Sequence, residues 1–83
     1  MLNMSEALKK YNEVFMSSFN VGEEQLRDLA YKVYPEWNSM AHIALISTLE
    51  EVLGINFEAD DIFALTSYDE GRNLLRSRFG LDL

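Results

Sequence analysis

Trp37-Asn38-Ser39-Met40-Ala41-His42-Ile43-Ala44-Leu45-Ile46-Ser47-Thr48-Leu49-Glu50-Glu51-Val52-Leu53 is the stretch that decides the fold. Met40, Ile43, Ile46, Leu49 and Leu53, with Leu45 beside them, recur at helical spacing and predict a helix from Ser39 to about Leu53 with one apolar side. Gly54 follows as its stop signal. At 1.5 Å per residue such a helix spans roughly 22 Å, enough for the main wall of a small bundle. At its head Asn38 is placed to act as N-cap, which puts Ser39 at the first helical position with its hydroxyl not needed for capping. A helix N-terminus presents unpaired N–H groups and the positive end of the macrodipole, so an anion attached to Ser39 is stabilised without a nearby lysine or arginine. The alternative is plain capping, since Asn and Ser are favoured at helix starts for that reason alone.

Upstream, Met4, Leu8, Tyr11, Phe15 and Phe19 predict a first helix from about Ser5 to Ser18, whose other face carries Glu6, Lys9, Lys10, Glu13 and Ser17. Asn20-Val21-Gly22 breaks it, and a long connection containing the only proline, Pro35, runs to Asn38. A structureless loop of that length is disfavoured in so small a domain, so Glu24 to Tyr31 is expected to form a short extra turn or helix. Downstream, Ile55-Asn56-Phe57 reads as an extended crossing and Glu58 to Ala64 as at most two helical turns, with Ile62, Phe63 and Leu65 facing inward. Ser67-Tyr68-Asp69-Glu70 is a capping box that starts the last helix at Tyr68. Leu74, Leu75 and Phe79 give that helix a buried face, Arg76 and Arg78 suit its negative end, and Gly80 stops it. No run alternates long enough to predict a strand. The expected fold is all-α: a small four-helix bundle with a short third helix and a long loop between helices one and two.

Eighty-three residues allow one domain, 1–83, near the lower limit for a single unstapled core. An apolar share of 48% is too high for a disordered chain. Without cysteine there is no disulfide framework and no thiolate metal site, so any thiol chemistry has to come from a prosthetic group. Neither a membrane-span-length apolar run nor a signal-peptide layout is present, and the chain reads as a cytoplasmic protein, expected to be monomeric. The net charge of −7 is unevenly placed: residues 39 to 65 hold Glu50, Glu51, Glu58, Asp60 and Asp61 with no lysine or arginine. Such a patch repels nucleic acid and anionic membranes and steers toward basic protein surfaces, unless it serves only solubility.

Asn38-Ser39-Met40, with Ile43, Leu45, Ile46, Leu49, Glu50 and Glu51 behind it, resembles the Asp-Ser-Leu segment and second helix of acyl carrier proteins. The resemblance runs ungapped from Asn38 to about Leu75 and more loosely over the first helix. It implies the acyl-carrier type of four-helix bundle, and a 4′-phosphopantetheine arm on Ser39. It implies partner docking through Asn38, Met40, Ala44, Glu50 and Glu51, with the Glu50-Glu51 pair meeting basic enzymes. It also implies an acyl pocket at Ile46, Leu53, Phe57, Ile62, Leu65 and Gly71; ordinary core packing is the competing reading of those residues. The partners implied are a phosphopantetheinyl transferase, an acyl or aminoacyl ligase, and acyltransferase or ketosynthase-type enzymes. More closely, the Trp37 to Ile46 run, with Asp60-Asp61-Ile62-Phe63 and Ser67-Tyr68-Asp69-Glu70-Gly71, is similar to free-standing carriers of bacterial surface-polysaccharide and specialised-metabolite gene clusters.

Asn38 stands where the family has aspartate, and Met40 where it usually has leucine or valine. Asparagine keeps the capping oxygen but loses the charge, which weakens any magnesium-assisted step at the transferase site. Ala41 and Ala44 also replace residues that are often acidic. The competing class is therefore an unmodified, degenerate helical interaction module that uses the acidic second helix. Catalysis by the chain itself is not expected: no Gly-x-Ser-x-Gly elbow, phosphate loop or EF-hand spacing is present, and the lone His42 is read as an exposed helix residue.

Overall fold

A computed structural model describes residues 5–83. The Met4 position of the first-helix pattern lies outside the described residues. Among them, four α-helices and one 3-10 helix follow in the order α1 (Glu6–Phe19), the 3-10 segment (Glu23–Asp28), α2 (Ser39–Leu53), α3 (Ala59–Ala64) and α4 (Tyr68–Phe79). No helix there is long and apolar enough to cross a membrane.

Each helix begins where its cap chemistry dictates. The Ser5, Asn38 and Ser67 side chains accept from the N–H groups of Leu8, Ala41 and Glu70 at 3.0, 2.9 and 3.0 Å. In α3 the N3 carboxylate of Asp61 takes the Glu58 N–H at 2.9 Å. Helices α2 and α4 end on Gly54 and Gly80 at φ +67° and +65°, left-handed conformations that suit residues without a Cβ. The long connection holds the short helix expected of it, in 3-10 rather than α form, with Leu26 buried.

The core is built on aromatics. Tyr11, Phe15, Trp37, Leu45, Leu49, Leu65 and Leu75 are all fully buried. Phe15 touches Tyr68 edge-on with centroids 5.5 Å apart, and Trp37 at 5.6 Å, so α1, α4 and the loop before α2 meet on one ring. The Tyr11 hydroxyl donates to the Tyr68 carbonyl at 2.6 Å, while the Tyr68 hydroxyl donates to Asn12. Arg78 fastens α3 to α4 by pairing with Glu58 and with the buried Asp61, at 3.2 and 3.1 Å. Because Asp61 is also tied to the Glu58 N–H, its buried carboxylate is satisfied on both oxygens.

Burial raises the Tyr11 phenol well above its ordinary 10.0, with the neighbouring Tyr68 adding to the shift. Tyr68 is raised by burial too, against the opposing pull of Arg72. The folded chain therefore keeps phenol protons that the unfolded chain begins to lose near pH 10.0, so stability should fall as pH climbs past that value. Denaturant midpoints measured from pH 8 to 11 check this, and Tyr11→Phe should flatten the decline.

One inward assignment is corrected: Phe63 is 80% exposed. Met40 and Ile43, the first two residues of the apolar pattern of α2, are exposed as well, at 84% and 62%. Leu45, Ile46 and Leu49 carry the buried face of α2, which is rotated relative to the Met40–Ile43 stripe. Consecutive residues of a helix point about 100° apart, so with Asp61 buried and Ile62 half-buried in α3 the next side chain, Phe63, turns outward.

Candidate functional site

The head of α2 is assembled where the loop from Leu29 to Trp37 crosses the linker between α3 and α4. The Tyr68 N–H donates to the Leu29 carbonyl at 3.0 Å and the Tyr31 N–H to Thr66 at 2.9 Å, around an isolated antiparallel bridge of Ala30 with Ser67. This crossing holds the Tyr31 phenol 2.9 Å from the Ser39 hydroxyl. Lys32, turned back at φ +65°, lays its ammonium 5.6 Å from the Tyr31 ring centre, so a cation does stand close to the site.

Ser39 is exposed at the first position of α2, as its place behind Asn38 predicts. Asn38 occupies the Ala41 N–H, and Ser39 and Met40 ahead of it have no intrahelical acceptor by the geometry of a helix start. The site thus offers a reachable hydroxyl, first-turn N–H groups and a phenol that can donate to an oxygen bonded at Ser39.

His42 is buried, contrary to the exposed position expected of it, and the cause is local. Trp37 stands at N′ and His42 at N4 of α2, the two positions of a hydrophobic staple, and their rings stack with centroids 5.9 Å apart. The indole Nε1–H donates to Nδ1 of His42 at 2.9 Å. That bond makes Nδ1 an acceptor, which leaves the proton on Nε2, donated to the Ile62 carbonyl at 2.8 Å. Both nitrogens are committed, so neither is placed to take a proton from Ser39. Instead His42 pins α3 to α2.

Beside Ser39 this pinning leaves a largely apolar pocket of about 280 Å³ between α2, α3 and the Tyr31 loop. Tyr31, His42, Ile43, Ile62, Phe63 and Leu65 are among the residues that line it. Its size is close to the lower end for small-molecule sites, and the mix of apolar walls with a few polar groups is typical of them. Of the residues assigned to an acyl pocket, Ile62 and Leu65 line this space. Ile46 and Phe57 lie in the core and Leu53 packs against it. Gly71 borders no free volume: a Cβ built there would meet the Tyr11 hydroxyl oxygen at 2.1 Å. Its missing side chain leaves room for the Tyr11 hydroxyl, which reaches from α1 to the backbone of α4.

Among the docking residues, Met40, Ala44 and Glu51 are exposed on α2. Glu50 is half-buried, and its carboxylate accepts the Phe57 N–H at 2.8 Å, so part of its role is to tie down the crossing after α2. Sequence reasoning missed Tyr31, Ile43 and Phe63 as site residues. The Trp37/His42 spacing was a signal that could have located the staple; nothing in the spacing of Tyr31 foretold its bond to Ser39. Among the described residues no group of three or more His, Asp or Glu is arranged to hold a metal ion. No protein-family model, curated protein or solved structure matches the sequence.

Proposed function

We propose that this chain is a cytoplasmic carrier domain on which Ser39 bears a 4′-phosphopantetheine arm. The observation that carries the reading is the exposed Ser39 hydroxyl at the first position of α2, beside a largely apolar pocket. The residues present fit the group: the helix start and the Tyr31 phenol would steady a phosphodiester, and Lys32 adds positive potential nearby. The arm would supply a terminal thiol for an acyl or aminoacyl thioester, with the chemistry performed by a transferase, a ligase and acyltransferase or ketosynthase-type partners. The protein's own part is to project the arm from a rigid helix start, to present a docking face, and to offer the cargo a pocket walled by Ile62 and Phe63. After co-expression with a phosphopantetheinyl transferase, intact mass should show one arm on the wild type and none on Ser39→Ala. Persistence of the added mass in Ser39→Ala removes the site assignment. An unmodified wild type across several transferases removes the carrier reading.

The second reading, an unmodified interaction module, is favoured by the exposed apolar side chains of Ile43 and Phe63 on the pocket lining and of Met40 at the head of the same helix, which suit a partner whether or not Ser39 is modified. In either case Glu51 is the cleaner probe of the acidic face. Glu51→Lys should slow transfer by a basic partner at low salt while leaving thermal stability within about 0.5 kcal/mol. Glu50→Lys would also strand the Phe57 N–H and cost about 1–3 kcal/mol. A Glu51→Lys protein loaded at wild-type rates at low salt would make the acidic face a solubility feature.

A further inference from the structure

This chain of net charge −7 has seven lysines and arginines, and three of its arginines converge on one pocket. Arg27 from the 3-10 segment, with Arg72 and Arg76 one turn apart on α4, surround a polar hollow of about 340 Å³ whose remaining walls are Asp69 and Asn73. Neither Arg27 nor Arg76 is ion-paired among the described residues; the side-chain ion pairs found there both belong to Arg78. Arg27 is exposed. Arg76 binds only the neutral Asn73 amide oxygen. Arg72 is held in place by the Leu83 carbonyl and by the face of Tyr68, 5.9 Å from the ring centre, and its Nε is buried with no acceptor. A guanidinium fixed in this way is shielded from water on one side, so its charge is less screened and its orientation needs no further ordering.

We propose that the Arg27–Arg72–Arg76 pocket binds a phosphate dianion, either free or as the head of a small monoester. The local charge is the first argument. Among the side chains that line the hollow, three arginines stand against one carboxylate, Asp69, and this local excess of positive charge suits an anion although Glu23 and Glu24 border the adjoining hollow. Guanidiniums are also the side chains whose planar donor forks match phosphate oxygens. Scale is the second argument. The protein's overall acidity repels a large polyanion such as nucleic acid or an acidic protein face. A small dianion inside the pocket responds mainly to charges within about 8–10 Å, the screening length near physiological salt. The hollow shares no residue with the pocket beside Ser39, so the site stands independently of the carrier reading.

The test follows backbone amide shifts by NMR at pH 7.5, titrating sodium phosphate and, separately, glycerol phosphate against sodium chloride of matched ionic strength. Saturable shifts confined to residues 26–28 and 69–76 are expected with phosphate and not with chloride. Equal affinity for the two probes identifies free phosphate as sufficient, and a tenfold preference for glycerol phosphate identifies a monoester ligand. Arg27→Gln with Arg76→Gln should raise the dissociation constant at least tenfold. Both side chains are exposed, so the fold should be retained, which circular dichroism checks; Arg27→Gln alone, expected to weaken binding severalfold, serves if the pair perturbs it. Shifts that stay linear, that appear equally with chloride, that spread to Lys9, Lys10 and Lys32, or that survive in the arginine variants overturn the proposal.

Discussion

Gly71→Ala is expected to destabilise the protein by about 2–3 kcal/mol, although glycine to alanine inside a helix normally stabilises by close to 1 kcal/mol. The sign reverses because the new Cβ would sit 2.1 Å from the Tyr11 hydroxyl oxygen, 3.2 Å from Tyr11 Cζ and 3.3 Å from Leu65 Cδ2. Tyr11 has nowhere to go. Its ring is fully buried against Phe15 and Tyr68, with centroids at 4.7 and 5.2 Å, and its hydroxyl is bonded to the Tyr68 carbonyl. In a domain of this size the loss lowers the melting temperature by roughly 10–20 °C. Tyr11→Phe removes the colliding oxygen and one hydrogen bond, at a cost of about 1 kcal/mol on its own. Combined with Gly71→Ala it should cost at least 1 kcal/mol less than the two single changes added together. The rescue is partial, because the contacts to Cζ and Leu65 remain tight. Thermal and denaturant unfolding of the four proteins measures the coupling. A Gly71→Ala protein as stable as the wild type would mean that the space beside Gly71 is free after all, and would restore that glycine to a cargo pocket.

Gly71 illustrates how far the sequence could be read. The helices were legible because their signals are local. Asn38, Ser67, Gly54 and Gly80 act within a few residues of their own positions, and the observed starts of α2 and α4 and the end of α2 are the expected ones. Small residues such as Gly71 announce a close approach but not its partner, because Tyr11 lies sixty residues away and only packing brings it there. Periodicity likewise marks an apolar side without fixing its rotation. Met40 and Ile43 belong to the α2 pattern, yet the core takes Leu45, Ile46 and Leu49, which leaves the first two to wall the pocket mouth or stand in solvent. Phe63 is exposed for a related reason, since a six-residue helix has one inward face and Asp61, tied to Arg78, is buried on it. At the candidate site, Ser39 and its cap were predictable. The Tyr31 hydroxyl beside it depends on the crossing of two loops, which no local pattern encodes.

The staple at the head of α2 gives the other large expected effect. His42→Leu should cost about 2–4 kcal/mol, because the substitution keeps the bulk but removes both ring nitrogens. The Trp37 indole is fully buried, so its Nε1–H would lose its acceptor without gaining water, and the Ile62 carbonyl would lose its donor on α2. Two readouts separate these consequences. Trp37 is the only tryptophan, so its fluorescence reports the indole environment directly. Amide hydrogen exchange in α3 reports the release of Ile62, and should quicken over residues 62–65 more than in α1. Trp37→Phe removes the orphaned donor, so the pair His42→Leu with Trp37→Phe should cost at least 1 kcal/mol less than the sum of the single changes. The same variant bears on the pocket beside Ser39, which His42 and Ile62 both line, the two joined by the 2.8 Å bond. On the proposed carrier reading, loosening α3 should alter how the pocket takes up apolar cargo while leaving Ser39 and its Asn38 cap in place, so modification of the serine should survive in a variant whose cargo retention does not. Unchanged exchange in α3 and an additive double variant would show that His42 is only a space-filling core residue, and the pocket would then owe its shape to Tyr31 and Leu65.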